Sequence, residues 1–450
     1  MRIANPQSLL PIYQSLMTDF GIISPAAIGH LNPMCVLGRE LQRRGHNVTL
    51  FGIPDIEEKV MKSGLNFCKI GEAKFPLGTL GPKYKQLGEM SGVAGLKFTV
   101  RWLQEEAAML FQSAPEALKL IGVEALLVDQ VSTAGGTVAD FLNLPFITVC
   151  NALLINREAG VPPYFTTWSY SKGWGARLRN QAGNFLIDRI TQPIWNILVQ
   201  QRQQWQLPPY SKREDAYSQL AQICQLPAEF DFPRVNLSPC FHYTGPFQDS
   251  SGLEPVSFPS LSFPWEKLTD KPLIYASLGT LQNRKWEIFH SIAEACLGLD
   301  AQLVISLGNP NSQASLSLPG SPLVVPFAPH QKLIERSSLI ITHAGMNTVL
   351  GALSSGVPLV AIPVTNEQPG IATRLARTGA GEMLPLASLS VPKLRALIQR
   401  LLTEDSYQKN AFGLQEAIRR AGGASRAVDI IEQAISTGKS VLAHPKDYNC

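Results

Sequence analysis

Charge is scarce in this chain. Asp, Glu, Lys and Arg make up 16% of its 450 residues, and the balance is a net charge of only +4. The basic surplus is not gathered into a block, which excludes the electrostatic footprint of a nucleic-acid-binding protein. No uninterrupted apolar run approaches the roughly 20 residues that a spanning helix requires, so no transmembrane segment is expected. The seven cysteines, at 35, 68, 150, 224, 240, 296 and 450, stand singly. Without a CxxC or a Cys/His cluster, neither a zinc site nor a disulfide framework is expected, and the odd, widely spaced set suits a reducing compartment. A basic region followed by an apolar one is missing from the first residues, so no secretory leader is read there and a cytoplasmic location is expected. No GxGxxG follows the first strand pattern, which argues against a dinucleotide oxidoreductase.

What is present is apolar and regularly punctuated. Hydrophobic residues reach 45%, the composition of a globular protein, and 450 residues exceed one ordinary core. From Asp19 onward short apolar runs alternate with amphipathic segments. "FGIISP" (20–25) reads as a buried strand, residues 32–45 as a helix stopped by Gly45, and "NVTLFGI" (47–53) as the next strand. An amphipathic stretch over about 84–121, the strand pattern 125–130, a helix near 134–143 and the strand pattern 145–151 follow. Residues 152–215 are rich in Trp, Tyr, Pro and Arg and show little periodicity. The second half repeats the strand–helix alternation from 272 onward.

Alternation of this kind predicts an α/β protein with two doubly wound, Rossmann-like domains facing across a cleft. The expected units are a disordered extension over 1–18, a first domain over 19–247 and a Ser/Pro/Gly-rich linker over 248–268. A second domain over 269–425 and a C-terminal helix and tail over 426–450, packing back on the first domain, complete the chain.

One segment carries chemistry. "SLIITH" (338–343) is a strand that places His343 at its carboxyl end. Gly345 permits a tight turn, Asn347 reads as an N-cap and Thr348 as the start of a helix. The unpaired N–H groups and dipole of that first turn form an anion site, and His343 adds a donor. Taken alone, such a junction is more often structural than ligand-binding. Its neighbours point further. Glu367 and Gln368 follow the strand 357–363 and suit vicinal hydroxyls. Phe327 ends the run "LVVPF" and offers a stacking face. Ser277-Leu278-Gly279-Thr280 makes a second glycine turn on the same crevice. Base platform, diphosphate cradle and hydroxyl reader together describe a nucleotide-diphosphate sugar.

The segment 327–368, "THAGMNTVL…GVPLVAIPVTNEQPGIA" above all, resembles the donor-binding signature of the UDP-glycosyltransferases of the GT-B fold, glycosyltransferase family 1. It is most similar to the bacterial type acting on carotenoids such as zeaxanthin, and more loosely to the macrolide enzymes. The resemblance runs from Phe20 to about residue 435. It implies that Phe327 lies under the base, with Ala328 and His330 beside it. Gly279, Thr280, His343, Gly345, Asn347 and Thr348 then face the diphosphate, while Glu367 and Gln368 bind the sugar. Two positions depart from the family pattern: His330 stands where a glutamine usually contacts the base, and Gly351 where an acid usually holds the ribose.

His30, after the first strand, has a near-neutral pKa suited to a general base. In the resembling family this histidine deprotonates the acceptor hydroxyl, and a carboxylate, here Asp129, orients it. The resemblance therefore implies inverting transfer from a UDP-sugar to a small hydrophobic hydroxylated acceptor. No cofactor and no metal are expected, since the DxD motif of metal-dependent transferases is missing. The aromatics of 152–215 suit a lipophilic acceptor. The interleaved basic and aromatic residues of 170–181 suggest a peripheral membrane contact. A nucleotide-sugar epimerase on the same fold and a non-catalytic sugar-nucleotide binder remain alternatives at this stage.

Overall fold

Short apolar runs become the strands of two parallel sheets in the computed structural model, which describes residues 17–248, 263–281, 284–309 and 317–443. The expected extension up to residue 16, residues 249–262 of the expected linker, and His444 in the tail lie outside the described residues. The first sheet contains β1 (Asp19–Ile23), β2 (Asn47–Gly52), β3 (Asn66–Lys69), β4 (Ala125–Asp129), β5 (Phe146–Cys150), β6 (Gln222–Cys224) and β7 (Phe241–Tyr243). The second contains β8 (Leu273–Ser277), β9 (Gln302–Ser306), β10 (Leu323–Val325), β11 (Leu339–Thr342), β12 (Leu359–Ala361) and β13 (Gly381–Met383). Their orders are β3-β2-β1-β4-β5-β6-β7 and β10-β9-β8-β11-β12-β13. The strand pairs are parallel throughout. A parallel sheet is covered on both faces, so its strands must be apolar without alternation; β4 (ALLVD) and β8 (LIYAS) are buried at every residue.

Helices α1 (Ile28–Arg43), α2 (Glu57–Lys62), α3 (Leu80–Glu89), α4 (Gly92–Ile121), α5 (Ala134–Leu142) and α6 (Trp174–Gln204) belong to the first half. The second half has α7 (Trp286–Cys296), α8 (His330–Arg336), α9 (Met346–Ser354), α10 (Gln368–Thr378), α11 (Val391–Thr403) and α12 (Asp405–Ala421). The last helix, α13 (Gly423–Thr437), sits against the first half. Ala427, Val428, Ile431 and Ala434 are buried in the same core as β1 and α1. Arg44 at the end of α1 pairs with Asp429 at 2.5 Å and Glu432 at 2.8 Å.

Three elements differ from the sequence reading. The aromatic stretch without periodicity contains the 31-residue α6, which runs through Pro193. Helix α1 starts at Ile28 rather than 32, so His30 lies in its first turn and not in a loop before it. Helix α9 starts at Met346 with Gly345 in the N-cap position; Asn347 is inside the first turn and makes no capping bond.

The two halves share a core. Leu153, Phe230 and Phe241 of the first pack in one cluster with Tyr275, Val349 and Leu375 of the second. A buried ion pair crosses the same junction: Arg374 Nε reaches Asp231 Oδ1 at 2.7 Å, both side chains 1% exposed. Asp231 Oδ2 also accepts from Arg234 Nε at 2.9 Å and from the Tyr243 hydroxyl at 2.8 Å. Burial pushes the Asp231 carboxyl up, but the Arg234 and Arg374 guanidiniums and these bonds hold it well below the usual range.

Candidate active site

Both sheets reverse their winding direction at one place, and ligand crevices in such sheets open there, beyond the carboxyl ends of the strands. In the first sheet that point lies between β1 and β4, in the second between β8 and β11. His30 follows β1 and Asp129 ends β4; Gly279 follows β8 and His343 follows β11. The candidate residues of each half therefore collect at the two mouths.

On the first wall, His30 Nδ1 meets Asp129 Oδ2 at 2.8 Å, closing a gap of 99 residues. The His30 side chain is 19% exposed and that of Asp129 1%. Asp129 Oδ2 also accepts from Asn151 Nδ2 at 2.7 Å, and Oδ1 accepts from the Val131 amide at 3.0 Å. These partners fix the carboxylate, and the carboxylate fixes the Nδ1–H tautomer of His30, leaving Nε2 as the basic nitrogen. Burial lowers the His30 pKa, but the charge and hydrogen bond of Asp129, with Glu367 and Glu106 further off, carry it to about 9.

Glu106 on α4 was not anticipated. It is 7% exposed, and burial pushes its carboxyl to about 7 against a hydrogen bond from the Ala26 backbone. The Ala26 carbonyl accepts from the Tyr84 hydroxyl. The turn leading into α1 is thus held from both sides, by α4 and by α3.

On the second wall, His343 packs between the two glycine turns. A Cβ on Gly279, whose φ is +72°, would lie 2.6 Å from the ring, and a Cβ on Gly345 would lie 2.7 Å from it. Both positions therefore exclude side chains so that the imidazole can fit. Ala344 between them has a φ of +66°, and Asn366 in the Glu367 loop one of +55°. Left-handed backbone at non-glycine residues costs about 1 kcal/mol or more and gathers at functional sites.

Burial lowers the His343 pKa to about 4, partly offset by a hydrogen bond to the Ser277 backbone. The ring is therefore neutral without a ligand and bonded to the end of β8.

His330 is also turned inward. Its Nδ1 lies 2.9 Å from the Tyr275 hydroxyl and its Nε2 3.1 Å from Thr348 Oγ1, and burial lowers its pKa to about 4. Thr348 is itself buried. Gln368 Oε1 accepts from the Val364 and Thr365 amides at 2.8 and 3.1 Å, so its carbonyl braces its own loop. Glu367 is half-buried, and burial raises its carboxyl while His30 opposes the rise. Phe327 and Thr280 sit half-buried on the loops after β10 and β8, and Ala328 is buried beside the former. At Gly351 a Cβ would come 3.2 Å from Gln331 Oε1, so the Gln331 carboxamide occupies the space against it.

Hydrogen bonds join the walls. Asn347 Nδ2 donates to the Gly29 carbonyl at 3.0 Å, one residue before His30. Gln225 Nε2 donates to Asn347 Oδ1 at 3.1 Å and also to the Asn151 carbonyl. Asn151 binds Asp129, so a ring of bonds runs from the dyad through Asn151, Gln225 and Asn347 back to α1. Pro33 explains the opening for it. In a helix the Gly29 carbonyl would accept from residue 33, and proline has no N–H to give.

The loop carrying Glu367 is also tied down: Gly92 N donates to the Val364 carbonyl at 3.0 Å and Thr365 Oγ1 to the Gly92 carbonyl at 3.0 Å. Buried side-chain oxygens of Asn32, Ser132, Asn151 and Asn366, all on segments at these carboxyl ends, have no hydrogen-bond partner. Such atoms are rare in finished cores and point to a polar ligand. A 120 Å³ cavity beside Asp231 and Arg377 and a 510 Å³ groove between Asp140 and Arg202 lie elsewhere on the surface.

Sequence reasoning missed Asn151, Gln225, Glu106 and Tyr84. Asn151 ends the apolar run of β5 at a carboxyl end, a usable signal. Gln225 follows the three-residue β6, which the sequence did not disclose.

A family model described as UDP-glucoronosyl and UDP-glucosyl transferase matches residues 107–420. The chain is 34% identical to the zeaxanthin glucosyltransferase of Pantoea ananas, over 95% of this chain and 98% of that one. Identity to the zeaxanthin glucosyltransferase of Pseudescherichia vulneris is 30%, over 94% and 100%. Among solved structures the glycotransferase of kitacinnamycin superposes with a TM-score of 0.72 at 20% identity, covering 93% of this chain and 100% of that one. The two facing parallel sheets and this likeness define the GT-B fold. With a family model spanning most of its length and relatives matched nearly end to end, the chain belongs to the UDP-glucoronosyl and UDP-glucosyl transferase family and is a glycosyltransferase.

Proposed function

We propose that the protein transfers a hexose from a UDP-sugar to a hydroxyl of a lipophilic acceptor of the carotenoid, sterol, polyketide or phenolic class, with inversion and without a metal. The observation that carries this reading is the His30–Asp129 contact at 2.8 Å at the cleft mouth, which leaves Nε2 as the base once the imidazolium has lost its proton. His30 takes the acceptor proton at Nε2 as the oxygen attacks the anomeric carbon, and the buried Asp129 stabilises the imidazolium, as in a hydrolase triad. The nucleotide diphosphate departs toward the second wall. There the N–H groups of the first turn of α9 and its dipole meet the developing charge.

His343, neutral in this environment, supplies shape and polarity to that turn; an arriving diphosphate would raise its pKa and draw a proton onto it. The carotenoid class is favoured by the two zeaxanthin glucosyltransferases among the relatives. Family membership removes the epimerase and non-catalytic alternatives. A peripheral contact with a membrane is part of this reading, because a carotenoid or sterol acceptor resides in lipid.

Incubation with UDP-, dTDP- and GDP-sugars and a panel of lipophilic alcohols, read by mass spectrometry, tests it. The expected product carries one hexose with inverted anomeric configuration, at a rate unchanged by EDTA. Loss of turnover on chelation, or a product of retained configuration, would overturn the mechanism. Activity with dTDP- or GDP-sugars alone would move the donor assignment to the Gly351 and Gln331 region.

A further inference from the structure

Helix α6 is apolar on two opposite faces. Toward the protein it buries Asn180, Gly183 and Ile187, and Ile187 packs with Leu96 and Val100 of α4. Toward solvent it presents Trp174, Leu178, Phe185 and Leu186, which are 79, 56, 60 and 51% exposed. At about 100° per residue, Trp174, Leu178 and Phe185 fall within about 40° of one another and oppose the buried face. A helix facing water on one side would carry polar residues along such a stripe.

This stripe is interrupted only by Gln181, and arginines bracket it. Arg177 and Arg189 are exposed on its two sides, and the Arg189 guanidinium lies 5.0 Å from the centre of the Phe185 ring. Over residues 170–189 the cations Lys172, Arg177, Arg179 and Arg189 face a single anion, Asp188. Asp188 is already paired with Arg157 and Arg213. Among the described residues no helix is long and apolar enough to cross a membrane. A helix with exposed aromatic and aliphatic residues flanked by arginines lies in the interface plane of a bilayer rather than through it.

We propose that the Trp174–Arg189 face of α6 docks on a bilayer bearing anionic headgroups. The apolar stripe enters the headgroup boundary, and Arg177 and Arg189 pair with phosphates. The position suits the site. α6 packs on α4, whose first residue, Gly92, is bonded to the Glu367 loop. A lipophilic acceptor leaving the bilayer would therefore enter beside the wall that holds His30. This inference rests on the proposed acceptor class.

The test is flotation of the full-length protein with phosphatidylcholine vesicles, with and without phosphatidylglycerol. The protein should float with the anionic vesicles and remain behind with the neutral ones. Two double variants probe the stripe and its rim: Trp174→Ser with Phe185→Ser, and Arg177→Gln with Arg189→Gln. The first should abolish flotation. The second should weaken partitioning about 30-fold, at about fivefold for each cation near an anionic surface.

Both should keep the wild-type melting curve and the wild-type turnover of a water-soluble phenolic acceptor. Wild-type protein that stays with the soluble fraction would overturn the proposal. So would variants that float unchanged, or a stripe variant that alters only the oligomeric state in light scattering. Turnover by none of the proteins would instead sink the acceptor reading, while flotation would still decide the surface.

Discussion

The two walls of the cleft each hold histidine at the carboxyl end of a sheet, and they hold it in opposite charge states. His30 sits among Asp129, Glu106 and Glu367, which overcome its burial and bring its pKa to about 9. His330 and His343 sit among hydroxyls, glycines and backbone, where burial goes unopposed by any carboxylate and takes both to about 4. Near pH 7 the first wall therefore offers an imidazolium and the second two neutral rings. On the proposed mechanism the difference divides the labour: proton transfer falls to the wall that can hold a proton, and anion binding on the other to backbone N–H groups and shape until the ligand itself recruits charge.

The sharpest way to break this comparison is to remove the one titrating base. His30→Ala should lower kcat by about 10²–10⁴, the usual contribution of a positioned general base. Binding of UDP, read as a rise in Tm, should be unaffected because that ligand faces the other wall. In wild-type enzyme kcat/KM should climb with pH up to about 9, since His30 must be deprotonated to act. Asp129→Asn removes the strongest upward influence on His30, so its rising limb should move to lower pH as its plateau falls. A limb left in place by Asp129→Asn would sever the dyad from the chemistry.

The junction that holds the walls together comes next. Arg374→Ala leaves Asp231 buried with only Arg234 as counter-ion, and breaking a buried pair typically costs about 3–5 kcal/mol. The expected result is a marked fall in Tm with little change in the pH profile of the surviving activity. Arg374→Met keeps the apolar stem, so a loss as large as that of Arg374→Ala would place the cost in the ion pair with Asp231, and a much smaller one in lost packing.

The second wall was far more legible from sequence than the first, and the reason is physical. Its residues from Phe327 to Gln368 lie on consecutive strand ends, so one contiguous stretch spells most of the wall. The first wall is built from residues 26, 30, 84, 106, 129, 151 and 225, which only the sheet order brings together. His30 and Asp129 were found because each follows a strongly apolar strand. Glu106 looked like any charge on a long amphipathic helix.

Strands β3, β6 and β13 were missed because they are three or four residues long. β3 in addition has no fully buried residue. Helix α6 was missed because its exposed face is apolar, which erased the periodicity that marks a surface helix. On the second wall the error was subtler. Asn347 has the chemistry of a cap, but Gly345 takes that place and frees the amide to cross the cleft.

That crossing yields a smaller and more specific prediction. Asn347→Ala removes two neutral hydrogen bonds, at about 1 kcal/mol each, and should lower kcat/KM about 10- to 30-fold. The pair with Pro33 shows whether the Gly29 bond matters. Pro33→Ala restores an N–H that can serve the Gly29 carbonyl within α1. In that background the Asn347→Ala penalty should shrink, and a double-mutant cycle would read the coupling directly. Strict additivity would mean that the Gly29 contact carries nothing.

The smallest effect is on stability, and its sign differs between the walls. His30 has a folded pKa raised above the ordinary 6.5, so its contribution is complete below that value and is lost as pH rises through about 9. His330 and His343 have folded values below it, so their contribution is complete above 6.5 and is lost as pH falls through about 4. Tm should thus decline at both ends, by about 4 °C or less per group in a chain of this size. Replacing His30 with Gln should flatten only the alkaline decline, and replacing His343 with Gln only the acid one. A saturating nucleotide diphosphate should erase the His343 contribution at the acid end while leaving the His30 limb in place, because only the second wall would then have acquired the counter-charge that the first possesses without a ligand.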